Sequence, residues 1–133
     1  MSSQKGSKGE NELGELFEER GYVFFRQAGS GTADRELPDI GVGNGGHFIV
    51  FEVKRWGYQD YEYLTKKEVD DLIFFAEQFG AEYYIAARFN RKPWQFYKKE
   101  EMHDAGKSYR IDNVKSNEIQ RTIEDVCQQV KKN

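Results

Sequence analysis

Charged residues interrupt the apolar segment PDIGVGNGGHFIVFEVK (residues 38–54), and their spacing allows them to act together. The segment predicts two strands joined at GNGG, because glycine and asparagine tolerate positive φ. If the turn closes at its last two glycines, Asp39 lies directly opposite Glu52. If it closes one residue earlier, Asp39 faces Val50 and Glu52 lies on the diagonal. Opposed Cβ atoms lie about 5 Å apart and diagonal ones about 7 to 8 Å, so either register lets both carboxylates reach one small cation.

Two further charged residues are predicted to point at this pair. Lys54 follows Glu52 by two positions, so it projects from the same face of its strand. Glu10 stands three residues before Leu13 and seven before Phe17, which places it on their inward face of a helix. An acid on an apolar stripe is costly unless it is paired, hydrogen-bonded or metal-bound. Oxygen ligands without Cys or a nearby His favour Mg²⁺ or Mn²⁺ over Zn²⁺, and a lysine beside such a metal can orient a water or balance charge on a phosphoryl group.

Each of these residues also has an ordinary structural explanation. Asp39 follows Pro38 and can bond its own backbone at the start of a strand. Glu52 and Lys54 can form an ion pair at a strand end, which contributes little to stability. Glu10 can occupy the first turn of a helix, where acids interact favourably with the dipole. The convergence of all four by independent routes favours the functional interpretation.

Periodicity and turn residues predict the elements that must position these side chains. Leu13, Leu16 and Phe17 are spaced as in an amphipathic helix that ends at Gly21. Thr65 and Glu68 form a capping box at the start of a second helix. Its predicted inner stripe consists of Val69, Leu72, Ile73, Ala76 and Phe79.

The predicted order is α-β-β-β-α-β-β-α, which describes one α/β domain over residues 1–133 with a mixed central sheet flanked by helices. Residues 1–5 and about 100–116 are expected to be flexible or irregular. The predicted segments are a helix at 8–20, a strand at 22–26, a loop at 27–37, the two strands of residues 38–54, a connection at 55–64, a helix from 65 to about 79, strands at 81–89 and 94–99, and a helix at 117–132.

Composition restricts the class of protein further. The chain of 133 residues has the size of one domain, and its 32% charged residues predict a soluble protein. Cys127 is the only cysteine, so an intrachain disulfide and a cysteine-rich zinc site are excluded. There is no apolar run long enough for a membrane span and no apolar core of a signal peptide, so an intracellular protein is expected. The net charge of −3 leaves open whether basic pairs such as Lys54-Arg55 and Arg91-Lys92 form one basic face or only keep the surface soluble.

At this point the residues resemble a known signature. Asp39 and, thirteen residues later, Glu52-Val53-Lys54 resemble the PD-(D/E)XK nuclease motif, complete here as PD…EVK. The wider pattern is similar to the archaeal-type Holliday junction resolvases, a family also found in some viruses. The resemblance runs from about Lys5 to Phe96 and comprises KGSKGENEL, R-Q-A-GSG, PDI-VGNG, EVK, LIFFAEQFGAE-Y-A and W-F.

The resemblance implies a restriction-endonuclease-like fold and a homodimer that cuts two opposed strands of a four-way DNA junction. It implies Mg²⁺ at each active site, with Mn²⁺ as a substitute, and places the protein at the nucleoid or at a site of viral replication. The family's metal and catalytic acids fall on Glu10, Asp39 and Glu52, and its catalytic lysine falls on Lys54.

Other functional positions of the family also match. Its arginine after the first strand falls on Arg26, the serine of its GS loop falls on Ser30, and two aromatics near its dimer contact fall on Phe75 and Phe79. Asn11 stands where many members carry a basic residue, so that phosphate contact is either lost or supplied by Lys5 or Lys8. The expected DNA-binding residues are therefore Lys5, Lys8, Arg26, Ser30 and Arg55.

Three alternatives remain open on the sequence. The first is another nuclease of the same fold that acts on flaps, replication-repair intermediates or linear DNA. The second is a catalytically inactive DNA-binding or scaffold protein with this fold. The third is an RNA-binding module built on Tyr58, Tyr61 and Tyr63, which rests on their capacity to stack on bases.

Overall fold

The computed structural model describes residues 2–28, 34–57, 59–113 and 121–128, and the side chains of residues 2–7 and of Trp56 stand outside that description. Within these ranges the chain forms an α/β fold, as predicted. Its elements are α1 (Ser2–Glu18), β1 (Val23–Arg26), β2 (Ile40–Gly43), β3 (Phe48–Trp56), β4 (Tyr61–Thr65), α2 (Lys66–Phe79), β5 (Glu82–Phe89), β6 (Gln95–Tyr97), a short 3₁₀ helix (Lys99–Glu101), β7 (His103–Asp104), β8 (Ser108–Asp112) and α3 (Ile123–Gln128).

The main sheet has five strands in the order β1-β2-β3-β5-β6. β1, β2 and β3 form an antiparallel meander, whereas β5 runs parallel to β3 and β6 returns antiparallel to β5. A parallel pair needs a crossover connection, and α2 lies on the chain segment that supplies it. The predicted mixed central sheet is therefore confirmed.

Side chains alternate between two apolar cores on the two faces of this sheet. α1 covers one face through Leu13 and Phe17, which are fully buried with Phe51. α2 covers the other face through Val69, Leu72 and Ala76, which pack with Val50. Because Val50, Glu52 and Lys54 alternate with Phe51 and Val53, the two charged residues project from the face that α2 covers.

The caps of α2 agree with the prediction. Thr65 precedes the helix in an extended conformation, its side chain accepts a hydrogen bond from the Glu68 N–H, and the Glu68 side chain bonds back to the Thr65 backbone. Gly80 ends the helix in the left-handed region at φ 67°, where a glycine carries no Cβ penalty. The predicted inner stripe of α2 is wrong at one residue, since Phe79 lies in the last turn of the helix and its side chain is 60% exposed.

A second sheet of three strands, in the order β4-β8-β7, corrects two predictions. Residues 61–64, predicted as a connection, belong to β4, and much of the segment predicted as irregular, about residues 100–116, forms the short helix, β7 and β8. β4 turns its tyrosines outward and buries Leu64, while β8 buries Tyr109 and Ile111. Because each of these strands has so few inward apolar residues, the sequence shows no recognisable alternation of apolar and polar positions. Residues 114–116 lie outside the described residues.

The ends of the first and last helices also differ from the predictions. α1 begins at Ser2, so the backbone of residues 2–5 is helical in a segment that was predicted to be flexible or irregular. Gly9 lies within α1 and does not interrupt it. A Cβ at this position would lie 3.1 Å from the Cβ of Arg55, so the glycine lets α1 approach β3 closely. Of the helix predicted at 117–132, residues 117–120 and 129–132 lie outside the described residues; within the described part α3 begins after Thr122, whose hydroxyl accepts from the Asp125 N–H. No helix in the described ranges has the length and apolar character of a membrane span.

Candidate active site

The hairpin of β2 and β3 sets Asp39 opposite Glu52. Ile40 pairs with Phe51, the first of the two predicted registers, in which the turn closes at its last two glycines. The Asp39 N–H donates to the Phe51 carbonyl at 2.9 Å, which continues the ladder by one residue. Asp39 Oδ2 accepts from the Val53 N–H at 2.8 Å. The Asp39 carboxylate is therefore held against β3, next to the base of the Glu52 side chain.

Burial and mutual repulsion both act on this carboxylate pair. Burial raises the pKa of Glu52 well above its ordinary value, and the charge of Asp39 raises it further. The pKa of Asp39 is also raised by burial, although the Val53 N–H and the Lys54 ammonium act in the opposite direction. Glu52 is only 8% exposed. The pair therefore favours a shared proton or a bound cation over two bare negative charges.

Lys54 lies beside the pair, as its position on β3 predicted. Its Nζ is 3.9 Å from Glu52 Oε2 and 3.3 Å from Glu68 Oε2. Burial lowers the pKa of Lys54, but the carboxylates of Glu68 and Glu52 outweigh burial and raise it above its ordinary value. The lysine is thus an ammonium ion at neutral pH, with its charge held at this end of the sheet.

Glu68 is a fourth acid at the site that sequence reasoning missed. Its capping-box role at the start of α2 explained its presence, so it was given no second function. The structure shows both roles at once, since Oε1 accepts from the Thr65 N–H at 2.9 Å while Oε2 lies 3.3 Å from Lys54 Nζ. The sequence carries no local signal for the second role, because β4 lies between β3 and α2 and the start of the helix reaches Lys54 only through tertiary packing.

Glu10 reaches the site from α1. Its side chain is half-buried, and its pKa is raised by burial and then by the charge of Asp39, against the effect of Arg26. Arg26 Nη1 lies 3.4 Å from Glu10 Oε1. The structure therefore brings Glu10 and Arg26 together at the edge where β1 meets β2, on the side of Asp39.

The donor set fits a hard divalent cation, although no ready-made cage is present. Among the described residues, no three His, Cys, Asp or Glu side chains are grouped closely enough to hold a metal ion. The carboxyl groups of Glu10, Asp39 and Glu52 nevertheless all have raised pKa values, each in part because of a neighbouring acid or burial. A cation bound by carboxylate oxygens relieves such repulsion, and oxygen ligands are those that Mg²⁺ and Mn²⁺ prefer.

The predicted DNA-binding residues differ in how accessible they are to DNA. Lys8 is exposed on α1. Arg55 is not free for DNA in this arrangement, because its Nε lies 3.3 Å from Glu12 Oε1. Glu12 also binds Arg88 Nη1 at 2.8 Å. The Lys5 side chain and the whole of Ser30 lie outside the described residues.

The two aromatics expected near a dimer contact lie together on α2. Phe75 and Phe79 stack with their ring centroids 4.1 Å apart and their planes at 5°. Phe75 is half-buried against the α2 core, whereas Phe79 is largely exposed. Phe75 thus packs partly in the core, while Phe79 presents most of its ring to solvent. The two stacked rings form a small aromatic surface at the end of α2.

These features define a class of protein. A mixed sheet with an antiparallel hairpin, a parallel crossover strand, and an opposed Asp–Glu pair followed by a lysine on the same strand face is the arrangement of a PD-(D/E)XK nuclease. Comparison with known families specifies the class further. The model of the archaeal Holliday junction resolvase (hjc) family matches residues 1–133, and the chain belongs to this family of nucleases.

Individual relatives agree with this assignment. The chain is 36% identical to the crossover junction endodeoxyribonuclease Hjc of Archaeoglobus fulgidus over 108 residues, which cover 81% of the chain and 79% of the relative. It is 34% identical to the enzyme of the same name from Methanocaldococcus jannaschii over 109 residues, covering 82% and 77%. The solved structure of Archaeoglobus fulgidus Hjc, a Holliday junction resolvase, superposes with a TM-score of 0.72 at 33% identity, covering 80% of this chain and 88% of that one.

Proposed function

We propose that this protein resolves four-way DNA junctions by Mg²⁺-dependent phosphodiester hydrolysis, making paired nicks as a homodimer. Mn²⁺ would substitute for Mg²⁺, and the enzyme would act inside the cell, at the nucleoid or at a site of viral replication. The observation that supports this most directly is the opposed pair of Asp39 and Glu52 with Lys54 beside it. Family membership supports the junction as the substrate.

In this proposal Asp39 and Glu52 hold the cation, and Glu10 binds it directly or through a water. When bound, the cation supplies Lewis-acid stabilisation of the charge that develops on the scissile phosphate. The hydrogen bond from the Val53 N–H to Asp39 Oδ2 leaves the second oxygen of that carboxylate available to the site. Because burial raises the pKa values of Asp39 and Glu52 in the metal-free protein, a cation competes with protons for this pair.

Lys54 is assigned to the attacking water and the phosphate. Because the neighbouring carboxylates raise its pKa, the Lys54 amine is protonated and acts as a donor. It can orient a water through a hydrogen bond and neutralise charge on a phosphate oxygen, but it does not accept the proton of that water. Glu68 keeps the ammonium in place through its 3.3 Å contact.

Arg26 and Ser30 are proposed to contact the DNA backbone at the site, with Lys5 and Lys8 extending the contact and Arg55 joining it when a phosphate draws it away from Glu12. Arg26 pairs with Glu10 at 3.4 Å. A phosphate oxygen can replace Glu10 as the partner of the guanidinium at this distance. Contacts with phosphates carry no direct sequence information. Junction selectivity is therefore expected to come from two active sites held at a fixed separation, which requires the dimer for which Phe75 and Phe79 offer a surface.

The test is a gel assay with a synthetic four-way junction and Mg²⁺, using wild type, Glu52→Gln and Asp39→Asn. We expect both variants to bind the junction and to lose cleavage by about 100-fold or more, since each removes a charge that the transition state requires. Glu100→Gln, which neutralises an exposed acid of the 3₁₀ helix, is the matched control and should cleave normally. Full cleavage by Glu52→Gln would refute the assignment.

The same assay separates the alternatives. A panel of flap, forked and linear duplex substrates cut as fast as the junction would favour another nuclease of this fold. Junction binding without cleavage by wild type in either Mg²⁺ or Mn²⁺ would favour an inactive DNA-binding protein.

A further inference from the structure

The small sheet of β4, β8 and β7 has one buried face and one face that is open to solvent. Its inner residues Leu64, Tyr109 and Ile111 belong to the apolar core between α2 and the main sheet. Glu52 and Lys54 project from the same side of the main sheet. The outer face of the small sheet therefore lies on the side of the molecule that carries these two active-site residues.

The register of the small sheet aligns four side chains on this outer face. Tyr63 of β4 pairs with Arg110 of β8, and Arg110 pairs with His103 of β7, so the three form one row across the sheet. Tyr61 stands two residues before Tyr63 on β4 and shares its face. The outer face thus combines two tyrosines with an arginine and a histidine.

The two tyrosines present their rings to solvent. Tyr61 is 49% exposed and Tyr63 is 45% exposed. Their ring centroids lie 5.5 Å apart with the planes at 76°, an edge-to-face contact that leaves ring faces uncovered. Neither ring belongs to the two apolar cores formed by the described residues. Adjacent exposed aromatics of this kind are typical of an interaction surface.

The charges around the tyrosines largely cancel. Arg110 lies 5.9 Å from the centroid of the Tyr61 ring and pairs with Asp112, its neighbour on the same face, at 3.0 Å. Lys66 Nζ lies 2.9 Å from Asp104 of β7. A surface with paired charges offers little attraction to phosphate groups. It suits the uncharged faces of nucleic-acid bases, which stack on aromatic side chains whatever the base.

This face is close to the candidate active site within the fold. Lys54 of β3 pairs in register with Ala87 of β5, and Ala87 lies in the core that the small sheet covers. Thr65 ends β4, two residues after Tyr63, and Glu68 in the first turn of the following helix contacts Lys54. DNA that reaches Lys54 therefore comes near the tyrosines.

A dimer formed through Phe75 and Phe79 would leave the tyrosine face open. Lys66 contacts the small sheet, since its Nζ lies 4.4 Å from the centroid of the Tyr109 ring. Phe75 follows Lys66 by nine residues, which is two and a half helical turns and places it on the opposite side of α2. The small sheet and the stacked phenylalanines therefore occupy opposite sides of this helix.

We propose that Tyr61 and Tyr63 form a base-stacking surface for DNA whose bases lack a stacked neighbour, as in single strands and at the branch point of a junction. This surface adds recognition of unstacked bases to the phosphate contacts proposed above. The inference rests on the proposed function for the identity of the ligand as DNA. Tyr58, the third tyrosine considered from the sequence, lies outside the described residues.

The experiment measures DNA affinity by fluorescence anisotropy in a Glu52→Gln background, so that no cleavage is needed. The probes are oligothymidylate, a four-way junction and a blunt duplex, each at several salt concentrations. Replacing both tyrosines by threonine should lower affinity for oligothymidylate about tenfold and for the junction severalfold, with less than about a twofold change for the duplex. The salt dependence should keep its slope, because that slope reports phosphate contacts and not stacking.

Tyr61→Phe/Tyr63→Phe is the matched control, since it keeps both rings and removes only the hydroxyls. It should bind all three probes as the parent does. Threonine is favoured in strands and both positions are exposed, so the urea midpoints of all three proteins should agree closely. Unchanged oligothymidylate affinity in the threonine variant, or an equal loss on the duplex, overturns the proposal. Either result is independent of whether wild type cleaves junctions, which tests the proposed function separately.

Discussion

Lys54 is placed by two carboxylates that belong to different elements. Glu52 lies two residues before it on β3, and Glu68 lies in the first turn of α2. The second contact is the shorter, at 3.3 Å, and comes from a residue that also caps the helix. The position of the ammonium therefore depends on how α2 begins, and the two roles of Glu68 can be separated by substitution.

Glu68→Gln should lower junction cleavage by about tenfold, because it removes the charge that raises the pKa of Lys54 and holds its Nζ. It should also shift the alkaline limb of the pH–rate profile to lower pH. The control is Thr65→Ala, which removes the helix cap that Glu68→Gln retains, at a cost of about 1 kcal/mol, and keeps the carboxylate. Stability is measured by urea unfolding. Equal losses of activity in the two variants would show that only the cap matters.

The raised pKa of Glu52 predicts how the stability of the folded protein depends on pH. Its pKa is 4.5 in an ordinary setting and is raised in the folded protein, first by burial and then by Asp39. The folded state thus retains this proton to higher pH than the unfolded chain does. Its stabilising contribution is complete below pH 4.5 and is lost as the pH rises through the folded pKa. Metal-free wild type should therefore lose stability relative to Glu52→Gln over that window.

Urea midpoints of both proteins across pH 4 to 8 test this prediction, with Mg²⁺ added in a parallel series. Mg²⁺ should restore the stability of wild type at the upper end and have little effect on Glu52→Gln, since a bound cation stabilises the ionised pair. If the urea midpoints of the two metal-free proteins change in parallel with pH, Glu52 is not the source of the pH dependence of stability.

At the scale of elements, close contact between α1 and β1 depends on Gly14. A Cβ at this position would lie 2.3 Å from Phe24 Cδ2 and 2.5 Å from Cγ, so the whole ring would have to move. Helix propensity alone predicts that Gly14→Ala stabilises the protein by about 1 kcal/mol. We expect the opposite sign, a loss of about 1 to 3 kcal/mol, because overpacking dominates.

Thermal or urea unfolding decides the sign for Gly14→Ala. Asn11→Ala on the exposed side of the same helix serves as the control and should gain a few tenths of a kcal/mol from propensity alone. A stabilised Gly14→Ala protein would mean that α1 and β1 can separate at little cost.

The hairpin could be predicted from sequence because its signals agree. The glycine-rich turn limited the register to two alternatives, and the alternation of Ile49 and Phe51 with Val50 and Glu52 defined the two faces of β3. Choosing between the registers required the structure, since both turns are acceptable to glycine and asparagine. Local signals of this kind are sufficient for Asp39, Glu52 and Lys54, which belong to one hairpin.

The second sheet and Glu68 could not be predicted in the same way. β4 turns Tyr61 and Tyr63 outward, at 49% and 45% exposure, and buries Leu64, so its apolar residues are on both faces. Its partner β8 (Ser108–Asp112) lies more than 40 residues further along the chain, and no local pattern indicates such a pairing. Glu68 reaches Lys54 only through the packing of α2 on the sheet, which is again a non-local contact.

At the scale of the whole molecule, charge and apolar surface lie in different regions. The net charge is −3, yet Arg55, Arg88, Arg91 and Lys92 gather where β3 ends and β5 turns into β6. The predicted possibility of a basic face on an acidic body is consistent with this grouping, although Glu12 neutralises part of it. The stacked pair of Phe75 and Phe79 lies on α2, which covers the opposite face of the sheet from α1. A dimer formed through α2 would therefore leave the basic end accessible to DNA.

Phe79→Asp should convert the proposed dimer to a monomer without unfolding it. The side chain is 60% exposed and stacks on Phe75, so a carboxylate there meets water in the monomer but would be buried in a dimer contact. Sedimentation velocity at micromolar concentration should show the loss of dimer, while the urea midpoint changes by less than about 1 kcal/mol in free energy. Phe17→Ala is the contrasting control, because it empties a fully buried site and should cost about 3 to 5 kcal/mol.

The way in which Phe79→Asp cleaves a four-way junction tests whether selectivity comes from the dimer. If junction preference comes from two sites at a fixed separation, Phe79→Asp should lose paired cleavage of the four-way junction and nick it only singly, because each monomer still holds Asp39, Glu52 and Lys54. A cruciform plasmid distinguishes the outcomes, since paired cuts linearise it and single nicks only relax it. A monomeric variant that still linearises the plasmid in one binding event would show that junction shape is read within one chain. The basic end formed by Arg55, Arg88 and Arg91 would then be the surface that reads it.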